Sequence, residues 1–153
     1  MSEISFSINK ADKEVIEKHL FECSNSFIPP LESYVDISAY SEKLKKFAIS
    51  FEAWSNGQLI SLIACYLNDE ITKKGFITNV STFPTFQNKG IVSHLLQNLI
   101  DYAIDKEYVS ISLQVNKMNT KAISFYLNKG FVLDEEDSTS ELYKMYLIID
   151  NSE

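Results

Sequence analysis

The chain has 153 residues, 45% of them hydrophobic, which suits one compact domain, residues 1–153, with a single core. Its 21 acidic residues outnumber the 14 basic ones, and the net charge of −7 argues against nucleic acid as a partner, because phosphate backbones attract basic surfaces. No apolar stretch approaches the roughly 20 residues of a membrane span, and the charged N-terminus does not resemble a secretory signal, so we expect a cytoplasmic protein without membrane contact.

The cysteines and histidines show no pattern of a reactive site. Cys23 and Cys65 lie far apart in the sequence, which predicts two buried, reduced thiols. No Cys/His cluster has the spacing of zinc ligands, so no metal is expected. His19 and His94 belong to no recognisable motif, and we assign them no role.

Hydrophobic periodicity divides the first half of the chain into a strand, two helices and a hairpin. Residues 4–8 alternate apolar and polar side chains, which predicts a strand. Helical spacing predicts helices over 11–23 and 38–46, separated by a segment with paired prolines. Strands are predicted over 48–54 and 58–67, joined by Asn56-Gly57, a dipeptide typical of tight hairpins.

The second half predicts a long helix, a shorter helix and four strands. The strands are predicted over residues 76–83, 109–115, 131–133 and 142–149. The long helix covers 90–106 with one apolar stripe, and the short one covers 119–128 and ends before Gly130. The order β-α-α-β-β-β-α-β-α-β-β predicts an α/β (α+β) fold with a mixed central sheet flanked by helices.

The junction between the strand at 76–83 and the long helix is a candidate phosphate site. The first N–H groups of a helix lack intrahelical partners and attract anions, and Gly90 would allow close approach of the backbone. A plain tight turn would give the same pattern. Neither G-x-G-x-x-G nor G-x-x-x-x-G-K-[ST] occurs, so the dinucleotide fingerprint and the P-loop are excluded.

Two motifs over about residues 75–133 resemble the GNAT acetyltransferase family. The first is Gln87-Asn88-Lys89-Gly90-Ile91-Val92, which is similar to the family's Q/R-x-x-G-x-G/A loop, with Pro84 three residues upstream. The bulkier Val92 occupies its last position. The second motif combines Leu113 to Asn119 with the downstream residues Ala122, Phe125, Tyr126, Gly130 and Phe131.

The resemblance implies the GNAT acyl-CoA N-acyltransferase fold and acetyl-CoA as cosubstrate. It implies that the backbone of Val80, Ser81 and Thr82 pairs with pantetheine, and that the Val80 N–H polarises the thioester carbonyl. Asn119 would contact the pantetheine arm, cap the following helix, or do both. The pyrophosphate would be bound by the loop residues Gln87, Asn88, Lys89, Gly90, Ile91 and Val92.

Tyr126 is the candidate general acid that the resemblance implies. Its hydroxyl would protonate the leaving thiolate, and it would lie close enough to the sulfur to contact the cosubstrate. A core aromatic residue beside Phe125 would satisfy the same sequence pattern.

The sequence does not identify a general base, because residues 76–80 contain no carboxylate. The base candidates, each of which also fits an ordinary surface or edge position, are Glu32, Tyr34, Asp36 and Glu52. Asn79 and Tyr34 are the candidate acceptor-binding residues, and residues 27–40 are expected to line the acceptor pocket. The acidic run 134–137 fits a solvated turn or a surface that attracts a cationic amine.

The resulting functional hypothesis is transfer of an acetyl group to the amine of a small-molecule acceptor by direct attack. The alternatives are acetylation of a protein N-terminus, a catalytically silent acyl-CoA-binding module, and a structural or interaction domain that retains only the fold. Whether the chain forms a homodimer is left open.

Overall fold

The computed structural model describes residues 3–134 and 138–149. Within this part of the chain the strands are Ile4–Ile8 (β1), Ile49–Ser55 (β2), Gln58–Tyr66 (β3), Lys74–Thr82 (β4), Ser110–Asn116 (β5), Val132–Leu133 (β6) and Leu142–Ile148 (β7). The α-helices are Lys13–Cys23 (α1), Ile37–Phe47 (α2), Ile91–Asp105 (α3) and Thr120–Asn128 (α4).

The described strands form one mixed sheet in the order β1-β2-β3-β4-β5-β7-β6. Five of its neighbouring pairs are antiparallel, and β4 and β5 are parallel. A parallel pair needs a crossover connection, and α3 supplies it. The predicted mixed sheet with flanking helices is confirmed.

Side-chain caps and a tight turn set the boundaries of the first elements. Asp12 accepts a hydrogen bond from the Val15 N–H at 3.0 Å, so α1 begins one residue later, at Lys13, and not at residue 11. Asp36 caps α2 in the same way. At the predicted hairpin, Asn56 and Gly57 have φ angles of 52° and 74°, the left-handed conformation that a type I′ turn requires.

Apolar side chains form two cores, one on each face of the sheet. The α3-side core includes Ile63 and Ile77 of the sheet together with Leu95 and Leu99 of α3. The α1-side core lies under α1 and α2 and includes Leu62 of the sheet. Successive residues of a strand point to opposite faces of the sheet, whereas paired residues on neighbouring strands point to the same face. The pairing partner of a strand residue therefore shows which of the two cores that residue faces.

Both cysteines are buried and unpaired, as the sequence predicts, and burial raises the pKa of the Cys23 and Cys65 thiols to about 12 each. No helix of the described residues is long and apolar enough to cross a membrane. Among those same residues, no group of His, Cys, Asp or Glu side chains is arranged to hold a metal ion.

Glu52 is fully buried in β2, which differs from the surface or edge position that the sequence suggests. Its carboxylate accepts hydrogen bonds from the Ser7 hydroxyl at 2.8 Å and from the backbone N–H groups of Lys10 and Ala11 at 3.0 and 2.9 Å. These contacts fasten the segment between β1 and α1 to the sheet. Glu52 therefore has a structural role and does not line the clefts described below.

We expect Glu52→Gln to destabilise the fold and leave ligand binding intact. The glutamine amide presents a donor to at least one of the backbone donors, and a buried donor left without an acceptor costs about 1–3 kcal/mol. Urea unfolding measures this loss, and calorimetry with coenzyme A measures binding. A variant as stable as the wild type would show that these hydrogen bonds contribute nothing to folding.

Candidate active site

The central feature of the site is a gap between the parallel strands β4 and β5. Their ladder ends where Ile77 pairs with Leu113, although β4 continues to Thr82 and β5 to Asn116. Beyond this point β4 keeps its pairing with β3 on the other side, where Val80 lies opposite Ile63. The edge of β4 that faces β5 is therefore left without a strand partner from Thr78 onward.

A β-bulge at Thr78 changes the side-chain alternation just before the gap. Ile77 pairs with Cys65 and Asn79 with Ala64, so Thr78 has no partner of its own on β3. The Tyr40 hydroxyl of α2 lies 2.9 Å from the Thr78 carbonyl oxygen and 2.7 Å from its Oγ1. These contacts tie α2 to the bulge.

After the bulge, successive residues of β4 point to opposite sides of the sheet. Val80 pairs with Ile63 of the α3-side core, whereas Ser81 pairs with Leu62 of the α1-side core. Asn79 lies on the same side as Ser81. The gap is therefore flanked by an apolar side chain on one face and by polar side chains on the other.

The N-terminus of α3 lies directly after this strand and has no side-chain cap. Asp12, Asp36 and Asn119 cap the other three described α-helices with their side chains, whereas α3 follows Gly90. Gly90 has a φ of 79°, and a Cβ built on it would meet no atom within 4 Å. The first N–H groups of α3 are therefore left without a side-chain cap beside an open position at Gly90, and uncapped helix N-termini are the arrangement that binds anions.

The loop before α3 is held by Gln87, whose side-chain Nε2 donates to the Thr82 carbonyl oxygen at 3.3 Å. Asn88 takes a left-handed conformation with a φ of 62°. Both residues line the adjoining cleft, whereas the next residue, Lys89, is exposed and does not.

A cleft of about 580 Å³ joins the strand gap to the N-terminus of α3. We call it the main cleft. The predicted cosubstrate-binding residues on its wall are Val80, Ser81, Thr82, Gln87, Asn88, Gly90, Ile91, Val92, Asn119 and Tyr126. Ser26 and Phe27, from the segment between α1 and α2, complete one side. The structure thus brings together predicted cosubstrate-binding residues that are up to 46 positions apart, from Val80 to Tyr126.

Tyr126 projects from α4 into the main cleft and also packs in the α3-side core. Its ring contacts Phe125 and Phe131 edge-on at centroid distances of 5.3 and 5.4 Å. The side chain is 8% exposed, and burial raises the pKa of its hydroxyl well above the usual value. The hydroxyl forms no hydrogen bond with another described residue. Tyr126 is thus a core aromatic residue that also lines the cleft.

Asn119 caps α4, because its Oδ1 accepts from the Ala122 N–H at 3.2 Å. This is the structural alternative that the sequence leaves open. Asn119 also lines the main cleft, so the cap leaves its contact with a ligand possible.

Residues 14–131 match the model of the acetyltransferase (GNAT) family. The chain belongs to the GNAT acetyltransferase family. It is therefore an acyltransferase. A comparison with curated protein sequences gives no significant match.

Solved structures with the same fold have low sequence identity to this chain. The PaiA N-acetyltransferase of Thermoplasma acidophilum, crystallised with coenzyme A, superposes with a TM-score of 0.72 at 18% identity, covering 94% of this chain and 99% of its own. The ribosomal-protein-S18-alanine N-acetyltransferase of Escherichia coli gives 0.76 at 18% identity, covering 100% and 97%. A GNAT acetyltransferase of Desulfovibrio desulfuricans gives 0.79 at 10% identity, covering 97% and 100%.

The two candidate acceptor-binding residues of this GNAT chain lie outside the wall of the main cleft. Asn79 is 4% exposed and contacts the Ser81 hydroxyl, with 2.9 Å between Ser81 Oγ and Asn79 Oδ1. Tyr34 lies in the segment between α1 and α2 and is 57% exposed, and partial burial raises the pKa of its hydroxyl. Their acceptor-binding roles stay predictions.

The candidate carboxylates either have a structural role or lie outside the wall of the main cleft. Asp36 is the cap of α2, and Glu52 fastens the N-terminal segment to the sheet. Glu32 is exposed and does not line the main cleft. Of the acidic run 134–137, residues 135–137 lie outside the described residues.

Sequence reasoning missed His19, which is 1% exposed on the inner face of α1. Its Nδ1 lies 3.0 Å from the Leu59 carbonyl oxygen, and its Nε2 lies 2.8 Å from the Ser81 hydroxyl oxygen. Burial lowers the pKa of the ring to about 4. The signal that could have identified it is its helical spacing from Ile16 and Cys23, which places it on the apolar face of α1.

Proposed function

We propose that this GNAT acetyltransferase transfers the acetyl group of acetyl-CoA to the amine of a small-molecule acceptor by direct attack, without a covalent enzyme intermediate. The observation that carries the proposal is the end of the β4–β5 ladder at Ile77 and Leu113, beside the uncapped N-terminus of α3. The same surface then offers two kinds of unpaired backbone. The strand edge suits an amide-containing arm, and the helix N-terminus suits a pyrophosphate. The expected place of this reaction is the cytoplasm.

The N-terminus of α3 would hold the pyrophosphate. Its free N–H groups and the positive end of the helix dipole favour negative charge. Open space above Gly90 leaves room for phosphate oxygens against the backbone. Val92 is partly buried against the α3-side core, so its bulk is accommodated in the protein while its N–H stays in the first turn.

The free edge of β4 would hold the pantetheine arm. An amide-containing chain that lies in the gap would extend the ladder that β5 leaves unfinished, through the backbone of Val80, Ser81 and Thr82. The Val80 N–H would then donate to the thioester carbonyl oxygen, on which negative charge develops during acyl transfer. Asn119 would add a side-chain amide to the same wall.

Tyr126 would supply the proton to the departing thiolate. The hydroxyl is protonated at physiological pH, because burial raises its pKa, and it has no hydrogen-bond partner among the described residues. Proton delivery matters only as the carbon–sulfur bond breaks, so it acts on the rate and not on ground-state binding.

The acceptor would enter beside Ser26 and Phe27, where the segment between α1 and α2 reaches the main cleft. The net charge of −7 favours a cationic amine over an anionic acceptor. A small diamine, an amino sugar and an aminoglycoside all have this chemistry. One enzyme with the same fold, the S18-alanine N-acetyltransferase of E. coli, is named for a ribosomal-protein substrate, so a peptide α-amine belongs in the same test.

The test is incubation of the chain with acetyl-CoA and a panel of amines, with free thiol and acetylated product measured together. We expect thiol release that depends on a small amine, with the acetylated amine identified by mass spectrometry. If peptides are acetylated and small amines are not, the acceptor would be a protein N-terminus. Binding of coenzyme A without turnover on any amine would indicate a silent acyl-CoA-binding module. Absence of coenzyme A binding would indicate a structural or interaction domain that retains only the fold.

Gly90 provides a matched pair of variants for the pyrophosphate site. Asn and Asp both tolerate the left-handed conformation and have nearly equal size, so Gly90→Asn and Gly90→Asp should perturb folding equally. Only Asp places a negative charge beside the phosphates, so we expect coenzyme A to bind Gly90→Asp roughly tenfold or more weakly than Gly90→Asn. Calorimetry measures both affinities. Equal affinities would place the pyrophosphate elsewhere.

Tyr126→Phe separates the acid role from the core role. The substitution keeps the ring and its contacts with Phe125 and Phe131 and removes only the hydroxyl. We expect kcat to fall by roughly 10²–10⁴-fold while the affinity for acetyl-CoA changes little. Steady-state kinetics on the acceptor identified above measures this, and turnover within about twofold of the wild type would return Tyr126 to a purely structural role.

A further inference from the structure

His19 and Ser81 connect the main cleft to a second cleft on the other side of β4. The second cleft, of about 260 Å³, lies between α1 and the β2–β3 hairpin, and His19 and Phe83 are on its wall. Ser81 is on the wall of the main cleft. Because Ser81 Oγ and His19 Nε2 are 2.8 Å apart, one hydrogen bond links the two clefts.

The hydrogen bonds of His19 define which nitrogen carries the proton. A carbonyl oxygen only accepts, so Nδ1, 3.0 Å from the Leu59 carbonyl oxygen, must be the protonated nitrogen. In the neutral ring Nε2 is then an acceptor, with the Ser81 hydroxyl at 2.8 Å and the Cys23 thiol at 3.7 Å as the donors within reach. Ser81 Oγ is also 2.9 Å from Asn79 Oδ1, so the single hydroxyl hydrogen has two acceptors within reach. A proton that arrives at Nε2 frees the hydroxyl hydrogen for Asn79.

We propose that Ser81 and His19 form a proton-transfer pair that takes up the proton of the acceptor amine from the main cleft. The inference rests on the proposed acetyl transfer, and it supplies the proton acceptor that the carboxylate-free stretch of β4 lacks. His19 acts through Ser81 and does not contact the reacting atoms.

The proton balance is complete without a further reactant. The amine nitrogen forms a bond to the acetyl carbon, and the carbon–sulfur bond breaks. The nitrogen gives one proton to Ser81 Oγ as the Ser81 hydroxyl proton moves to His19 Nε2. Tyr126 protonates the thiolate. After the products leave, His19 returns its proton through the Ser81 hydroxyl to water in the main cleft, and Tyr126 regains a proton from water. A neutral amine thus yields an amide and a thiol with no net change in protons.

The surroundings of His19 favour passage of a proton over its storage. Burial lowers the pKa of the ring, so the neutral form with a free Nε2 is present at physiological pH. Phe83 stacks against the ring at a centroid distance of 5.3 Å. The titratable groups near it are Lys18 and Glu22 on the wall of the second cleft and the Cys23 thiol, whose Sγ is 3.7 Å from Nε2.

The kinetic test compares His19→Gln and Ser81→Ala with Ile16→Ala. Gln fills a similar volume and offers a hydrogen-bond acceptor to Ser81, but it cannot carry a proton. Ile16 is fully buried on the same face of α1, one turn before His19, and has no polar side-chain atom, so Ile16→Ala controls for lost packing. We expect kcat to fall by roughly 10²-fold in the first two variants, with KM for acetyl-CoA within about twofold of the wild type, and little change in kcat for Ile16→Ala.

Two further readouts separate proton transfer from a structural role. The loss in His19→Gln should shrink as the acceptor amine becomes more acidic, because such an amine gives up its proton without help. Turnover by His19→Gly should be partly restored by imidazole, which fits the space vacated in the second cleft, and not by pyrrole, which has the same ring size but no acceptor nitrogen. Wild-type kcat in His19→Gln, or equal rescue by both rings, would overturn the inference.

Nitrogen NMR of ¹⁵N-histidine-labelled protein tests the hydrogen-bond arrangement without turnover. We expect His19 to be neutral at pH 7, protonated at Nδ1, with an Nε2 resonance that moves in Ser81→Ala. An Nε2-protonated ring could not receive the Ser81 proton and would overturn the inference even in an active enzyme. A wild type that binds acetyl-CoA but acetylates no amine would instead overturn the proposed function, and the proton-transfer role would fall with it.

Discussion

The early end of the ladder between β4 and β5 is the constraint on which the rest of the site depends. Strand backbone in a sheet is normally paired on both sides, and a buried N–H or C=O without a partner is costly. Here the parallel pair separates after Ile77 and Leu113, while β4 stays fixed to β3 through Val80, Ser81 and Thr82. The strand is thus held rigidly by one neighbour while its other edge is free. A rigid, unpaired edge is a template for an extended ligand, and no side chain has to be ordered to create it.

The contrast among the helix N-termini supports the same conclusion. Where no ligand is expected, the chain satisfies the first turn with its own side chains, as Asp12, Asp36 and Asn119 do. At α3 the corresponding position is Gly90, which cannot cap with a side chain and leaves the backbone accessible. The uncapped helix and the unpaired strand edge are consecutive in the chain. One short segment therefore supplies two sets of backbone donors to the same cleft.

Local patterns predicted the elements, and long-range packing determined what the sequence left unresolved. Strict alternation and helical spacing were sufficient for β1 and α3, and the Asn56-Gly57 turn has the conformation that its composition requires. The carboxylate of Glu52 could not be placed, because its partners are 41 to 45 residues away and its burial follows from the fold of the N-terminal segment. His19 was missed for the same reason, since the Ser81 hydroxyl that it contacts is 62 residues away.

The two faces of β4 differ in the titratable group that each one buries: Tyr126 on the α3 side and His19 on the α1 side. On the α3 side, burial among aromatic rings raises the pKa of Tyr126, so its hydroxyl is protonated at physiological pH. On the α1 side, burial lowers the pKa of His19, which stays unprotonated until a more acidic group is present. The same physical cause, loss of water around a group that would become charged, thus keeps a neutral acid on one face and a neutral base on the other. Because Val80 and Ser81 are adjacent and point to opposite faces, the strand separates donor and acceptor by the thickness of one backbone. In the proposed reaction, nitrogen would lose its proton on one side of the strand while sulfur gains one on the other, without a carboxylate in β4.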